Sequence, residues 1–330
     1  MTLHVILSFA ISLALTILAG LIVIPALRRL KAKQSILEIG PNWHKTKEGT
    51  PTMGGIMFIF AITCAVVGVG FRDLLAGELR HVIILVFALL YGAIGFADDF
   101  VKVRKTRNQG LTALQKFLLQ LVMAVALVLF LRLKGYLTPN LYIPFWNVTI
   151  PIWEPLYLAF AAFIIVGCVN AVNLTDGIDG LVSGVTLPVT LFFTAAAFLW
   201  SLKTLGIFAA ALAGGLAGFL VYNFHPAKVF MGDTGSLFLG GAVCAMAFAS
   251  DMPLILLPVG IVYVVETLSD IIQVLYFKLT HGKRIFKMAP IHHHFELCGW
   301  SEIKVFTVFT AVSAVFAVIS YLGIRWRYLP

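Results

Sequence analysis

The sequence predicts an all-α polytopic membrane protein, and its composition, its apolar runs and its sparse charges carry this prediction. Of the 330 residues, 60% are hydrophobic and 12% are charged, whereas a soluble chain has about 45–50% and about 25%. The mean hydropathy is +0.98. These values exclude a soluble domain, a disordered chain and an ordinary nucleic-acid-binding protein, and they indicate a chain whose solvent is mostly lipid.

About ten apolar runs of roughly 17–25 residues divide the chain, each long enough to cross a bilayer. Because lipid offers no hydrogen bonds to the backbone, each run is predicted to be a helix. The predicted spans are 3–27, 53–70, 81–97, 114–131, 156–173, 183–200, 205–222, 235–250, 253–277 and 304–323. The first run has no basic leader and precedes Arg28 and Arg29, which predicts a retained helix rather than a signal peptide. We expect a single integral membrane domain over 1–330, with catalytic cytoplasmic loops.

The lysines and arginines predict the orientation of the chain. With ten spans, 17 of the 24 basic residues fall in one set of alternating loops and seven in the other. Basic residues concentrate on the cytoplasmic side, so the richer set is predicted to be cytoplasmic and both termini external. The net charge of +9 is then explained by this bias, without binding of a polyanion.

One external loop, 132–155, is longer than the others. Its residues 141–153 are rich in β-forming side chains, with prolines that oppose a helix. We predict a short external β-hairpin, in which Trp146 and Trp153 suit the membrane–water interface.

Acidic side chains near membrane depth are candidates for function, because charge in lipid is costly. Five of them fall at the cytoplasmic ends of predicted spans, on three different loops: Asp98, Asp99, Asp176, Asp179 and Asp233. Carboxylates from separate parts of the chain, at one depth and on one side, predict a single site.

Asp98 and Asp99 are predicted to close the third span, where the helix dipole disfavours each carboxylate by about 0.3–1 kcal/mol. A metal ion, Lys102 or Lys116 is expected to compensate. The alternative is a solvated helix end that pairs with Lys102.

The other three aspartates lie in glycine-containing segments. Asn173, Asp176 and Asp179 recur at three-residue spacing, which gives one helix face or a carboxylate-lined turn, and an ordinary turn is the alternative. Asp233 precedes the eighth span, where free N–H groups favour anions. Its carboxylate suits Mg²⁺, which prefers one or two carboxylates plus phosphates and water; the alternative is an ordinary N-cap.

The ninth span carries Glu266, Asp270 and Gln273 on one face. This face is expected to point into the bundle, and Pro258 is expected to kink the same helix. Whether the face contacts substrate or only packs polar groups together stays open.

Two loops have compositions that suit phosphate. Residues 45–55 combine lysines, hydroxyls and glycines before the second span. His292, His293 and His294 lie in the last cytoplasmic loop, and consecutive histidines diverge too far for a usual zinc site. Imidazoles could instead contact phosphate or move a proton, and a solvated basic loop is the alternative.

Five segments together are far more specific than any one of them. They read Gly-Thr-Pro-Thr-Met-Gly-Gly at 49–55, Ala-Asp-Asp-Phe at 97–100, Asn-Leu-Thr-Asp-Gly-Ile-Asp-Gly at 173–180, Phe-Met-Gly-Asp-Thr-Gly-Ser at 230–236 and Pro-Ile-His-His-His-Phe at 290–295. In this order they resemble the signature of the phospho-N-acetylmuramoyl-pentapeptide-transferase family. The resemblance covers the whole chain, and it extends to the wider superfamily of polyprenyl-phosphate hexosamine-1-phosphate transferases.

The resemblance implies a Mg²⁺-dependent transfer of phospho-N-acetylmuramoyl-pentapeptide from its UDP derivative to undecaprenyl phosphate. The products would be UMP and lipid I, for peptidoglycan synthesis. It also implies the bacterial inner membrane, an active site on the cytoplasmic side, and a homodimer. Nucleic acid is not an expected partner.

Residue roles follow from the same resemblance. The catalytic residues implied are Asp98, Asp99, Asp233 and His292, with Asp233 as the Mg²⁺ ligand. Lys102 and Lys116 are expected to counter phosphate charge. The other substrate-binding residues implied are Lys47, Thr52, Asn173, Asp176, Asp179, Asn223, Phe230, Gln273, His293 and His294, with Phe230 a candidate to stack on uracil.

Three alternatives remain at this point. A sister transferase would use UDP-N-acetylglucosamine with the same chemistry. A secondary transporter would have its acids near the midplane, on broken helices within repeats. An aspartyl intramembrane protease would share Gly232 and Asp233 but needs glycine at position 230, which is Phe230 here.

Overall fold

This computed structural model describes residues 1–30, 47, 49–105 and 110–327. Lys31, Lys33, Lys45 and Arg107, which contribute to the predicted orientation, lie outside the described residues. The helices are α1 (Thr2–Arg29), α2 (Gly55–Leu75), α3 (Arg80–Lys105), α4 (Ala113–Leu133), α5 (Glu154–Thr175), α6 (Leu181–Leu199), α7 (Lys203–Asn223), α8 (Gly232–Ala249), α9 (Leu256–Val259), α10 (Ile261–Leu279), α11 (Ile291–Leu297) and α12 (Glu302–Ile324).

Nine helices of the described part are long and apolar enough to cross a membrane, namely α1 to α8 and α12. This confirms an all-α, multi-pass membrane protein. Most of their ends lie within a few residues of the predicted spans, because each apolar run is bounded by charged residues or by a turn.

The ninth predicted span, 253–277, is bent as expected, but it is broken into separate helices instead of forming one kinked helix. The chain forms a short 3₁₀ turn and α9, and then bends by 82° into α10. Pro258 cannot donate a backbone hydrogen bond to the preceding turn, and Gly260 separates the two helices. Since both halves are apolar, the hydropathy of the run does not reveal the break.

The third predicted span, 81–97, is shorter than the helix that the chain forms. Asp98 and Asp99 do not end α3, because the helix continues to Lys105. No glycine or proline follows the two aspartates within the helix, so nothing in the backbone stops it where the apolar run ends. The two carboxylates therefore lie on a rigid helical turn rather than on a frayed end.

The predicted hairpin is present as β1 (Asn140–Ile143) and β2 (Val148–Pro151), paired antiparallel with Ile143 opposite Val148. Trp146 in its turn and Trp153 after it are both about three-quarters exposed, as side chains of an interfacial belt would be. The hairpin contacts the end of α12, where the Gly323 carbonyl accepts a hydrogen bond from the backbone of the turn.

The most buried helices are α7 and α8, whose many glycines and alanines let neighbours approach closely. Gly214 of α7 faces the main chain of Phe9 in α1, and Gly95 of α3 faces the carbonyl of Asp233 in α8. A Cβ at either glycine would overlap backbone atoms. The contact at Gly95 places the C-terminal half of α3 directly against the first turn of α8.

Candidate active site

Three carboxylates meet where α3 contacts the start of α8. Asp98, Asp99 and Asp233 each offer an oxygen, and these oxygens lie within 4.8 Å of one another. The first two are almost fully buried, and Asp233 is partly buried. The structure thus brings acids of the third and eighth predicted spans together.

Asp99 caps α8 from another helix. Its Oδ1 accepts a hydrogen bond of 3.2 Å from the backbone N–H of Asp233, and its Oδ2 accepts from the N–H of Thr234 at 2.9 Å. The hydroxyl of Thr234 donates to Oδ2 as well, at 2.7 Å. These are N–H groups that a helix leaves unpaired at its start, so Asp99 fixes the turn that carries Asp233.

Asp98 is bound on both oxygens. Its Oδ1 accepts from the backbone N–H of Leu111 at 2.7 Å, and its Oδ2 pairs with the ammonium of Lys102 at 2.6 Å. Lys102 follows one helical turn later, on the same face of α3. The expectation that Lys102 compensates these acids is met by this geometry.

Asp233 is contacted by side chains from three other helices, α3, α4 and α5. Its Oδ2 lies 2.9 Å from the ammonium of Lys102 and 3.0 Å from that of Lys116. Its Oδ1 accepts a hydrogen bond of 2.9 Å from the amide of Asn173, which also donates to Ser236 at 2.7 Å. Lys116 is delivered by α4, whose start is fixed by a capping box.

The donor set of this cluster fits a hard divalent cation. It consists of carboxylate oxygens only, as Mg²⁺ prefers, and it lacks the sulfur or imidazole donors that other metals favour. Three carboxylates face two ammonium groups here, which leaves a net negative charge. Both lysines are partly exposed, so they are available to an anionic ligand that arrives with the metal.

A second charged group brings together four separate segments of the chain. The ammonium of Lys47 lies 2.8 Å from Asp179 and 2.6 Å from Glu302. The other oxygen of Asp179 accepts hydrogen bonds from the His225 ring at 2.9 Å and from the N–H of Ala227 at 3.0 Å. The group borders a cavity of about 640 Å³.

The five predicted acids thus fall into two linked groups rather than one cluster. Asp176, which ends α5, lies between them. Burial, followed by the negative charges of the aspartates in both groups, raises the pKa of the Asp176 carboxyl well above its ordinary value. The segment from Asn173 to Asp179 is therefore the end of a helix followed by a turn. Asn173 contacts the three-carboxylate cluster, whereas Asp179 belongs to the second charged group.

The three histidines lie on the short helix α11 and have different surroundings. His292 is fully buried, and its Nδ1 is 2.9 Å from Oε2 of Glu266. His293 pairs with Glu296 at 2.7 Å, and Nδ1 of His294 accepts from a backbone N–H of the preceding loop at 3.1 Å. His292 is the member of the run that faces Gly177, in the turn after α5.

Gln273 binds the loop before α11. Its Oε1 accepts from the N–H groups of Ile285 and Phe286, at 3.1 and 3.0 Å, and its Nε2 donates to the Phe286 carbonyl at 2.9 Å. All of these bonds are internal to the protein. A contact of Gln273 with substrate remains a prediction.

The segments around Thr52 and Phe230 are tied together by backbone hydrogen bonds. The Phe230 N–H donates to the Pro51 carbonyl, and its own carbonyl accepts from the Gly54 N–H, both at 2.8 Å. Asn223 is buried, and its amide donates to the Val229 carbonyl at 3.0 Å. These bonds hold the start of α2 beside the start of α8, and the roles of Thr52, Asn223 and Phe230 toward substrate stay predictions.

Two residues of the second charged group, His225 and Glu302, are not predicted from the sequence, although Glu302 binds Lys47 and His225 binds Asp179. The sequence indicates Glu266 as a polar residue of the ninth span but does not indicate its partner His292. The available signal for Glu302 was its place in the first turn of the last span, after Ser301, whose side chain caps α12.

Comparison with known proteins agrees with this architecture. Residues 81–251 match the family model for glycosyl transferase family 4, and residues 47–59 match the phospho-N-acetylmuramoyl-pentapeptide-transferase signature 1. Fold and match together define a membrane-embedded phosphotransferase that acts on a polyprenyl phosphate.

Full-length relatives specify the family. Proteins named phospho-N-acetylmuramoyl-pentapeptide-transferase are 45% identical in Clostridium acetobutylicum, 46% in Acetivibrio thermocellus and 44% in Listeria monocytogenes. Each alignment covers 97% of this chain, and 99%, 95% and 98% of the respective relative. The chain belongs to the phospho-N-acetylmuramoyl-pentapeptide-transferase family.

Proposed function

We propose that the protein transfers phospho-N-acetylmuramoyl-pentapeptide from its UDP derivative to undecaprenyl phosphate, with Mg²⁺, and releases UMP and lipid I. The observation that carries the proposal is the cluster of Asp98, Asp99 and Asp233 with Lys102 and Lys116. It combines oxygen ligands for a divalent cation with ammonium groups for phosphate, which is what a reaction between two phosphate substrates requires.

The carboxylates have separate tasks in this proposal. Asp233 is the principal metal ligand, because it lies on the most exposed side of the cluster and both lysines contact it. Asp99 positions Asp233 by capping α8. Asp98, held by Leu111 and Lys102, positions the attacking lipid phosphate. Bound there, Mg²⁺ would neutralise charge on the pyrophosphate and on the departing UMP.

The lysines exchange partners in the same proposal. Lys102 and Lys116 neutralise Asp233 when no substrate is bound. With Mg²⁺ held by Asp233, the ammonium groups of Lys102 and Lys116 would be available to contact phosphate oxygens. Asp233 and the two ammonium groups then each have a partner of opposite charge in both states.

The nucleotide part is proposed to occupy the space around the second charged group. Lys47 and Asp179 border the cavity of about 640 Å³, and Asp176 lies between that cavity and the three-carboxylate cluster. Thr52 and Phe230 lie on loops that flank this region, Asn223 is the last residue of α7, and His293 and His294 lie on α11. Their contacts with the nucleotide, and the stacking of Phe230 on uracil, belong to this proposal.

The location is proposed from the charge pattern. The site lies at the cytoplasmic side of the bacterial inner membrane, both termini are external, and the chain is one integral membrane domain. A homodimer is part of the same proposal.

The test is release of UMP by the purified protein in detergent, with undecaprenyl phosphate and Mg²⁺. One reaction receives UDP-N-acetylmuramoyl-pentapeptide and the other UDP-N-acetylglucosamine. We expect release with the first donor alone, abolished by EDTA and restored by excess Mg²⁺. Release with the second donor alone would assign the chain to the sister activity, and release with neither would refute the transferase proposal.

A further inference from the structure

We propose that Glu266 is a positioning residue, which holds His292 so that its Nε2 faces the turn between the two charged groups. This inference rests on the proposed function, since it assigns Glu266 to the same reaction. His292 is the residue through which Glu266 acts, and Glu266 itself is not expected to touch substrate.

The burial of Glu266 is the first argument. The side chain is fully buried in α10, and its Oε2 is bound to Nδ1 of His292, which is fully buried as well. Its Oε1 has no hydrogen-bond partner among the described residues. A buried carboxylate oxygen without a hydrogen-bond partner is costly, and an apolar side chain would pack there at less cost. A glutamate at this position therefore indicates a task for the carboxylate.

The chemistry of the imidazole is the second argument. Glu266 is an acceptor, so Nδ1 of His292 carries a proton, and Nε2 then has either a lone pair or the second proton. In the buried pair the carboxylate fixes the ring orientation and the tautomer, as in other carboxylate–histidine pairs. The function of Nε2 is thus set by Glu266.

The surroundings of Nε2 are the third argument. This nitrogen is buried and has no hydrogen-bond partner among the described residues. It faces Gly177, where a Cβ would collide with the ring, and Gly177 directly follows Asp176. The other titratable ring against His292 is that of His293, 4.1 Å away between centroids, which pairs with Glu296. An unsatisfied polar atom at this turn indicates a missing partner.

The fourth argument is that α10 contacts both α11 and the loop that leads into it. Glu266 binds His292, and Gln273, two turns later, binds the loop at 285–286 that leads into α11. Residues seven apart share a helix face. Because the chain bends by 82° before α10, this face of α10 points in a different direction from the one it would have in a straight ninth span. Helix α10 therefore supports His292 in its orientation.

The first experiment compares Glu266→Gln with Glu154→Gln in the UMP-release assay. Glu154 is a matched control, because it is an exposed glutamate that pairs with Arg132 at the far end of α5. We expect Glu266→Gln to lower kcat by about 10- to 100-fold with little change in KM. The pH–rate profile of the variant should also differ from that of the wild type, because the partner of the imidazole has lost its charge. Glu154→Gln should match the wild type.

The second experiment is a double-mutant cycle with His292→Ala. If Glu266 acts through His292, Glu266→Gln causes no further loss in the His292→Ala background. Glu266→Asp, which keeps the charge, should retain the wild-type pH profile at a reduced rate, and it provides the measurement if Glu266→Gln does not fold. Thermal unfolding in detergent identifies such a failure.

The outcomes separate this inference from the proposed function. A wild-type protein that releases no UMP would refute the function. An active wild type, with Glu266→Gln behaving like Glu154→Gln, would overturn the positioning role alone. So would an unchanged pH profile in a slow variant, or an equal loss with and without His292.

Discussion

At the scale of single residues, two lysines determine the charge of the three-carboxylate cluster. Lys102 contacts both Asp98 and Asp233, whereas Lys116 contacts Asp233. Lys102 lies on α3, as Asp98 does, and it also reaches Asp233 on α8. Lys102 is therefore the more strongly constrained of the two and the better placed to meet both phosphate substrates.

Replacement of Lys102 is expected to lower the rate. Lys102→Met removes the cation shared by Asp98 and Asp233, and kcat/KM for UMP release should fall by about 100-fold or more, as for other preorganised charges. Lys203→Met is the matched control, since Lys203 pairs with Asp73 at 2.9 Å at the opposite end of the bundle. Equal rates for the two variants would contradict the assignment.

Asp176 makes stability depend on pH. Burial and neighbouring charges raise its pKa in the folded protein, so the folded state binds this proton more tightly than the unfolded state does. Stability is then lost as pH rises above the ordinary carboxyl pKa of about 4. Asp176→Asn should melt at a higher temperature than the wild type at pH 8 and at the same temperature near pH 4. A lower melting temperature at pH 8 would contradict the electrostatic explanation.

At the scale of elements, the site depends on how closely α3 approaches α8. Gly95 faces the carbonyl of Asp233 and leaves no room for a Cβ. Asp98 follows within one turn. The distance between the carboxylates is therefore fixed by backbone contact, which side-chain rearrangement cannot restore.

Gly95→Ala is expected to move α3 away from α8. Overpacking of this kind costs about 1–3 kcal/mol, so the melting temperature and the UMP-release rate should both fall. Gly68→Ala in α2 is the control, because no atom of the described residues lies within 4 Å of its Cβ position and alanine favours a helix by up to about 1 kcal/mol. A Gly95→Ala variant with normal stability and rate would contradict the close-approach argument.

The long helices can be predicted from the sequence, but the bend and the short helix between them cannot. Hydropathy predicts α1 to α8 and α12, because each is one apolar run. It does not predict the bend at Gly260 or the seven-residue helix α11, which is too short to form without the contacts of His292 and Gln273.

The site was predictable as a set of residues but not as a set of contacts. The cost of charge in lipid selects Asp98, Asp99 and Asp233 from sequence. Nothing local indicates that Asp99 caps α8, since its partner Thr234 lies 135 residues later. The pairing of Lys47 with Glu302 spans 255 residues, and pairings at such separations depend on tertiary packing alone.

At the scale of the whole molecule, the distribution of basic residues predicts which face meets the cytoplasm. The test uses single cysteines in a protein whose native cysteines are replaced: Cys64, Cys168, Cys244 and Cys298. A membrane-impermeant maleimide should label Trp146→Cys in intact spheroplasts, and Lys283→Cys only after permeabilisation. Both positions are exposed, so access to the reagent depends on the side of the membrane. The reverse pattern would overturn the orientation.

The cap that Asp99 provides for α8 has a consequence for biogenesis. Asp98 and Asp99 are synthesised before Asp233, which follows Asp99 by 134 residues, and the four long helices α4 to α7 lie between them. During insertion, Asp98 already has Lys102 one turn away, whereas the residues that donate hydrogen bonds to Asp99 have not yet been synthesised. The three-carboxylate cluster is therefore complete only when the start of α8 has been inserted. A chain truncated before this helix would insert without the cluster.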